Sequence, residues 1–234
     1  MTAIVLGGAG FIGSRLVDHL VARGMHVAVV DDLSTGSLVN LDYALSTGRV
    51  TFVFGDAERA SDAALRALRE QGRTPVVLFS LHGADLRVTG PALEIPAISL
   101  RWPGSPDSGL SPVVFGPRMP ARSAPLVWQL FTDALAGEPT PLDGVPPHAI
   151  EMAYVENVVL DMVAAAQRAT EPNPAVVPRV DVRLKPHELR EALGCIPRET
   201  RSVRRHVRQR PAQAPVALDD ALRATCRWFA TRAG

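Results

Sequence analysis

The 234 residues suffice for one α/β domain with a small additional part, and 25 Lys and Arg balance 24 Asp and Glu, for a net charge of +1. This balance excludes a global field that would recruit nucleic acid or an anionic membrane. The 47% hydrophobic share is ordinary for a globular chain, and no apolar run approaches the ~20 residues that cross a bilayer. Cys195 and Cys226 lack CxxC spacing, so we expect a reducing, cytoplasmic setting.

The first elements alternate between strands and helices. Apolar runs predict strands at 2–6, 26–30, 50–54 and 75–81. A helix is predicted from Phe11 to Gly24, which stands where a C-cap glycine belongs, and another over 61–71. Strands separated by helices at this spacing predict a Rossmann-type, doubly wound parallel sheet.

This regular alternation of strands and helices does not continue beyond residue 82. A strand is predicted over 97–102, a loop over 103–112, a helix capped by Ser123 and ended by Gly137, and helices over 155–169, 187–193 and 218–230. We therefore predict two parts. Residues 1–122 form a Rossmann dinucleotide-binding domain that is shortened after residue 82. Residues 123–234 form a small, mainly helical α/β part that binds the substrate, with interleaving of the two parts left open.

A glycine fingerprint, Gly7-x-x-Gly10-x-x-Gly13, follows the first strand directly and opens the first helix. The first glycine permits a tight turn, the second lets the backbone approach a pyrophosphate, and the third allows close helix–strand packing. The helix N-terminus offers free N–H groups to the phosphates. Asp31, 18 residues beyond Gly13, ends the next strand and is placed to accept hydrogen bonds from the adenosine ribose. Because a carboxylate there repels a 2′-phosphate, the sequence favours NAD(H) over NADP(H).

The fingerprint and the run Asp31 to Gly36 (DDLSTG) resemble the extended short-chain dehydrogenase/reductase family, and within it the NAD-dependent sugar-nucleotide epimerases and dehydratases. The resemblance implies that Ser34 to Gly36 lie beside the adenosine phosphate, that Asp56 meets adenine, and that the backbone at 78–83 passes the cofactor ribose. Segments 114–118 and 154–158 resemble the family's Val-Tyr-Gly-Pro-Arg and Tyr-Val-Asp-Asp-Val. The expected NAD contacts are Gly7, Gly10, Phe11, Ile12, Gly13, Asp31, Asp32, Ser34, Thr35, Gly36, Asp56, Ala57 and Leu81.

The chain also departs from this family. Between His82 and Ile98 the family has much more chain, which carries the catalytic Tyr-x-x-x-Lys. Here only Tyr43 and Tyr154 exist, neither has a lysine four positions on, and Lys185 is the sole lysine. The asparagine before Val-Tyr-Gly-Pro-Arg is Val113, and an arginine that clamps a nucleotide diphosphate aligns with Ile150. Arg118 and the segment 198–210, with its six arginines, are the candidates to compensate.

The remaining catalytic candidates are His82, Ser80 and Tyr154. Ser80 and His82 end the fourth strand, where His82 could act as an acid or base oriented by Asp85. No metal-ligand spacing is present. Three functions stay open: an atypical epimerase/dehydratase-like enzyme acting on a sugar or secondary metabolite, a non-redox lyase, cyclase or isomerase, and a non-catalytic NAD-binding protein. We expect a small-molecule substrate and neither nucleic acid nor membrane as partner, with a homodimer as an option.

Overall fold

The computed structural model describes residues 1–81, 95–101, 112–145, 147–168, 174–196 and 212–231. The chain forms two compact units that alternate along the sequence. The first is built from Met1–Pro103, Val159–Val177 and Arg210–Gln213, and the second from Gly104–Val158, Pro178–Gln209 and Ala214–Gly234. Residues on both sides of position 122 thus contribute to the first unit. The assignment of parts 1–122 and 123–234 to cofactor and substrate stays a prediction.

The described strands are β1 Thr2–Leu6, β2 His26–Asp31, β3 Val50–Phe54, β4 Pro75–Ser80, β5 Ala97–Leu100, β6 Val113–Phe115, β7 Ile150–Tyr154, β8 Ala175–Val176 and β9 Val182–Leu184. The described α-helices are α1 Phe11–Ala22, α2 Asp42–Ser46, α3 Ala57–Glu70, α4 Pro125–Ala136, α5 Val155–Arg168, α6 Pro186–Gly194 and α7 Leu218–Ala230. Short 3-10 turns lie at Leu38–Leu41 and Ala121–Ser123.

The first unit holds a six-stranded sheet in the order β3-β2-β1-β4-β5-β8. Every adjacent pair in it is parallel. β1 is buried throughout and β2 almost so, as their continuous apolar runs predict for central strands covered on both faces. One face packs on α3 through a cluster of Ile4, Leu6, Ala28, Val30, Leu65, Leu68 and Leu78. The Rossmann-type parallel sheet is therefore confirmed, and α3 begins four residues before the predicted start at Ser61.

The second unit holds a three-stranded sheet in the order β6-β7-β9, in which β6 pairs parallel and β9 antiparallel with β7. An aromatic cluster fills its core, with Phe131 stacked on Phe229 at a centroid distance of 5.5 Å and Phe115 at 6.3 Å from Phe131. The prediction that Ser123 caps α4 is wrong: the N-cap is Ala124, Ser123 ends the preceding 3-10 turn, and Pro125 begins the helix. Gly137 ends α4 in the left-handed conformation (φ 78°), as predicted.

Within the described ranges, no helix is long and apolar enough to cross a bilayer.

Candidate functional site

The glycine loop between β1 and α1 is shaped by two different demands. Gly7 has φ 75°, a left-handed conformation, and its N–H donates to the Val30 carbonyl at 2.8 Å, which ties the turn to β2. A Cβ on Gly13 would collide with the Gly7 carbonyl oxygen and lie 2.8 Å from a methyl of Leu81. Both glycines are therefore required by the chain's own conformation and packing.

Gly10 is different, because its own conformation does not require a glycine. Its backbone is extended (φ −73°, ψ −177°), a conformation open to any residue. Among the described residues beyond its chain neighbours, an added Cβ would meet the Gly7 carbonyl oxygen, at 3.3 Å, and no other atom within 4 Å. The sequence predicts that the pyrophosphate lies beside this residue.

The N-terminus of α1 begins directly after Gly10. The first turn of a helix leaves its N–H groups without intrahelical acceptors, and Ser14 N makes the first bond, to Gly10 O at 3.0 Å. The N–H groups of Phe11 and Ile12 precede that bond, and both residues are half-buried. No acidic side chain lies in the first turn of α1, so the partial positive charge of this helix end is not neutralised by the helix itself.

Asp31 is the acid that ends β2, and it is 5% exposed. Its Oδ2 accepts from Ala9 N at 2.8 Å and its Oδ1 accepts from Leu33 N at 2.8 Å. Each carboxylate oxygen has two lone pairs, so both retain acceptor capacity after these bonds. The carboxylate thus joins the glycine loop to the loop after β2 and retains lone pairs for further donors, such as the ribose hydroxyls that the sequence predicts.

The loop after β2 carries the predicted Asp32, Ser34, Thr35 and Gly36. Asp32 Oδ1 accepts from Ser34 N at 2.9 Å, a turn closed by the side chain, while Leu33 has φ 59°. Gly36 lies so close to the glycine loop that a Cβ would be 2.8 Å from the Ala9 carbonyl carbon. Asp32, Ser34 and Thr35 are exposed, as expected of groups that face a ligand or solvent.

Sequence reasoning missed one residue in this loop, Asn40. Its Nδ2 donates to the Ala9 carbonyl oxygen at 2.9 Å, and Ser37 N donates to the same oxygen at 3.1 Å. The sequence signal that could have identified Asn40 is the position of its polar amide between two apolar residues, Val39 and the buried Leu41.

The ends of β3 and β4 complete the same edge of the sheet. Asp56 is exposed and directly precedes Ala57, the first residue of α3. Leu81 N donates to the Leu6 carbonyl at 3.2 Å. Ser80 is 3% exposed, and among the described residues its Oγ has no hydrogen-bond partner. A buried hydroxyl in this state is costly unless a ligand or water satisfies it.

Tyr154 lies in the second unit, where it ends β7. Its ring is 3% exposed and packs against Phe115 at a centroid distance of 5.4 Å, and its N–H donates to Asp181 Oδ2 at 2.7 Å. Asn157, in the same motif, exchanges two hydrogen bonds with the Val216 backbone, at 3.3 and 2.8 Å. The motif therefore has a clear structural role in this unit.

The other candidates lie in the second unit or outside the described residues. Arg118 follows β6 in a left-handed conformation (φ 74°). His82, Asp85 and the arginine-rich segment 198–210 lie outside the described residues. No group of three or more His, Cys, Asp or Glu side chains that could hold a metal occurs in the described ranges.

Comparison with known proteins agrees with the geometry of the first unit. Residues 3–87 match the NAD dependent epimerase/dehydratase family. The matched range is 85 of the 234 residues. The chain is 43% identical over 81 residues to the UDP-glucose 4-epimerase of Mycolicibacterium smegmatis, a match that covers 35% of this chain and 25% of that protein. It is 45% identical over 53 residues to UDP-glucuronic acid decarboxylase 1 of Arabidopsis thaliana, covering 23% of this chain and 12% of that protein.

The chain thus spans about a quarter or less of the length of these two curated relatives. Solved structures agree over a longer range at low identity. The UDP-glucose 4-epimerase of Thermotoga maritima with UDP-glucose aligns over 100% of both chains with a TM-score of 0.67 and 17% identity. The dTDP-glucose 4,6-dehydratase of Bacillus anthracis with NAD aligns over 98% of this chain and 96% of its own, with a TM-score of 0.69 and 14% identity. These likenesses confirm the predicted fold.

Proposed function

We propose that the first unit binds NAD(H), with the pyrophosphate beside Gly10 and the N–H groups of Phe11 and Ile12, and the adenosine ribose on Asp31. The observation that carries this proposal is the extended backbone of Gly10, where an added Cβ meets the Gly7 carbonyl oxygen at 3.3 Å and, among the described residues beyond its chain neighbours, no other atom within 4 Å. Residues 3–87 match a family that is described as NAD dependent, and this match supports the same cofactor. Bound NAD would supply a hydride acceptor for oxidation of a substrate.

The test is titration of the purified chain with NAD, NADH and NADP by isothermal calorimetry, after removal of any ligand that co-purifies. We expect NAD(H) to bind and NADP to bind at least ~10-fold more weakly, because one unfavourable charge contact of ~1.4 kcal/mol has this effect. Absence of NAD binding contradicts the proposal. Equal binding of NAD and NADP contradicts the role of Asp31.

For the reaction itself we propose atypical epimerase/dehydratase-like chemistry on a small molecule. The proposed acid, base or hydrogen-bonding groups are Ser80, His82 and Tyr154. The described group that supports it most directly is Ser80, whose buried hydroxyl lies at the carboxyl end of β4 without a protein partner in the described chain. UDP-glucose is a suitable first probe, because relatives named above act on or contain it. Turnover that Ser80→Ala abolishes, with NAD affinity and the exposed control Ser46→Ala unchanged, would support this reaction.

A second candidate is NAD binding without hydride transfer, as a non-redox lyase, cyclase or isomerase or as a non-catalytic binding protein. The absence of Tyr-x-x-x-Lys from the 234 residues favours it, because the resemblance assigns proton transfer to that pair. Incubation of NAD-loaded protein with candidate substrates distinguishes the two: a rise in absorbance at 340 nm, or product formation that is slowed by deuterium at the oxidised carbon, reports hydride transfer and supports the first candidate. Product formed with neither signal, or NAD binding without any product, supports the second.

A further inference from the structure

Asn40 does not belong to any predicted group, yet it contacts the backbone that shapes the cofactor loop. The Ala9 carbonyl oxygen accepts from Asn40 Nδ2 at 2.9 Å and from Ser37 N at 3.1 Å. Ala9 is 0% exposed, so this oxygen has no solvent alternative if a partner is lost. The bond spans 31 residues of sequence and joins the loop after β2 to the loop after β1.

Hydrogen bonds orient both of the peptides that flank Ala9. The Gly8–Ala9 peptide is held by Ala9 N, which donates to Asp31 Oδ2 at 2.8 Å. In a planar trans peptide the C=O and N–H point to opposite sides. The Ala9–Gly10 peptide is therefore held from both sides, by Asn40 and Ser37 at its oxygen and by a longer bond from Gly10 N to Gly7 O at 3.3 Å.

Asn40 is itself well positioned to hold this oxygen. It lies in the 3-10 turn Leu38–Leu41, whose N-cap Ser37 accepts from Val39 N through its side chain. Its own N–H donates to Ser37 O at 3.0 Å, and the next residue, Leu41, is 0% exposed and anchors the turn. The amide therefore reaches Ala9 from a fixed backbone.

We propose that Asn40 is a positioning residue of the dinucleotide site: it keeps the negative end of the Ala9 carbonyl dipole away from the phosphate position and orients the backbone from Gly10 to Ile12 toward it. This inference rests on the proposed NAD binding and adds a residue to it. Loss of the amide leaves the oxygen with Ser37 N alone and allows the Ala9–Gly10 peptide to rotate. A rotated carbonyl would point partial negative charge toward an anionic ligand.

The experiment compares NAD affinity of the full chain with Asn40→Ala, Asn40→Asp and the matched control Ser46→Ala. Ser46 also donates from its side chain to a backbone carbonyl, Tyr43 O at 2.7 Å, but makes no contact with the glycine loop. We expect Asn40→Ala to raise the NAD Kd about 2- to 12-fold, the range for one hydrogen bond, and Ser46→Ala to leave it unchanged.

The pH profile of Asn40→Asp supplies a readout that general destabilisation does not reproduce. An ionised carboxylate cannot donate to the Ala9 oxygen, whereas a protonated carboxyl can. We expect the Kd ratio of Asn40→Asp to wild type to be largest at pH 8 and to fall as the pH approaches 4, where an aspartate carboxyl takes up its proton, while the Asn40→Ala ratio stays constant. This profile also decides the matter if the alanine variant does not fold.

The outcomes separate the two proposals. Wild-type protein that binds no NAD refutes the proposed function. Wild-type protein that binds NAD, with an Asn40→Ala Kd within 2-fold of it or a flat Asn40→Asp ratio, refutes only the role of Asn40.

Discussion

Two single-methyl substitutions in one loop should have opposite consequences. Gly13→Ala places a Cβ against the Gly7 carbonyl oxygen, 2.8 Å from both Gly8 Cα and Leu81 Cδ1. Gly10→Ala places the same atom 3.3 Å from the Gly7 oxygen, and no other atom of the described chain beyond its neighbours comes within 4 Å. We expect the first variant to lose stability and the second to lose NAD binding.

The magnitudes follow from these contacts. Backbone atoms must move for Gly13→Ala, so we expect the upper end of the overpacking range, ~3 kcal/mol of unfolding free energy. For a chain of this size that lowers Tm by ~6–12 °C. Gly10→Ala needs a shift of a few tenths of an ångström in the neighbouring backbone. Alanine also lowers the conformational entropy of the unfolded chain, and this stabilises the folded state by ~0.4–1 kcal/mol and offsets the cost of the shift. Its Tm should therefore change by no more than ~3 °C.

For NAD binding we expect the larger loss in Gly10→Ala. A methyl at Gly10 displaces a phosphate oxygen from a charged hydrogen bond worth ~1.5–3 kcal/mol, which raises Kd ~10- to 150-fold. The assays are differential scanning fluorimetry without ligand and calorimetric NAD titration of each variant that folds. A Gly10→Ala protein that binds NAD as tightly as wild type would refute the assignment of the pyrophosphate to the position beside Gly10. A Gly13→Ala protein as stable as wild type would refute the packing argument.

Three further outcomes are expected. Asp31→Asn replaces one acceptor oxygen by an amide NH2 group that faces a backbone N–H, so the free energy of unfolding should fall by ~1–3 kcal/mol and NAD binding should weaken. Urea denaturation measures the stability and calorimetric titration the NAD affinity, and an unchanged stability would contradict this expectation. Burial, followed by neighbouring arginines, lowers the pKa of His26 below 6.5, so its unfolded form takes up a proton first as pH falls. Stability should therefore decrease as pH falls through 6.5, and His26→Gln should remove that component of urea midpoints measured between pH 5 and 8; an identical slope in both proteins would contradict it. Asn157→Ala removes both bonds to the Val216 backbone and should cost ~1–3 kcal/mol, with faster proteolysis near residue 216; protection equal to wild type would count against this role.

The first unit could be predicted well because its signals are local. The apolar runs of β1, β2 and β4, the turn at Gly7 and the acid at Asp31 follow one another within short stretches of sequence. Helix α7, at Leu218–Ala230, coincides with its prediction because its apolar face repeats at helical spacing. Such patterns require no knowledge of distant partners.

Prediction was weaker where structure depends on distant partners or on short elements. The strand β9 has only three residues and forms through pairing with β7, for example Arg183 opposite Glu151. Ser123 reads as a cap, but Pro125 two residues later fixes the helix start instead. Asn40 was missed because its partner, Ala9, lies 31 residues away and offers only a backbone oxygen, which no side-chain motif encodes.

The last strand of the six-stranded sheet has a consequence for how the protein is made. β8 consists of Ala175 and Val176, and Ser99 N and Arg101 N donate to Pro174 O and Val176 O at 3.2 and 2.8 Å. A nascent chain that reaches residue 101 contains β5 but not yet the strand that accepts these hydrogen bonds. The edge is closed only when some 75 more residues have emerged, and pairing over such a separation is slow. During that interval β5 is a free strand edge, the kind of surface on which chaperones act and nascent chains associate.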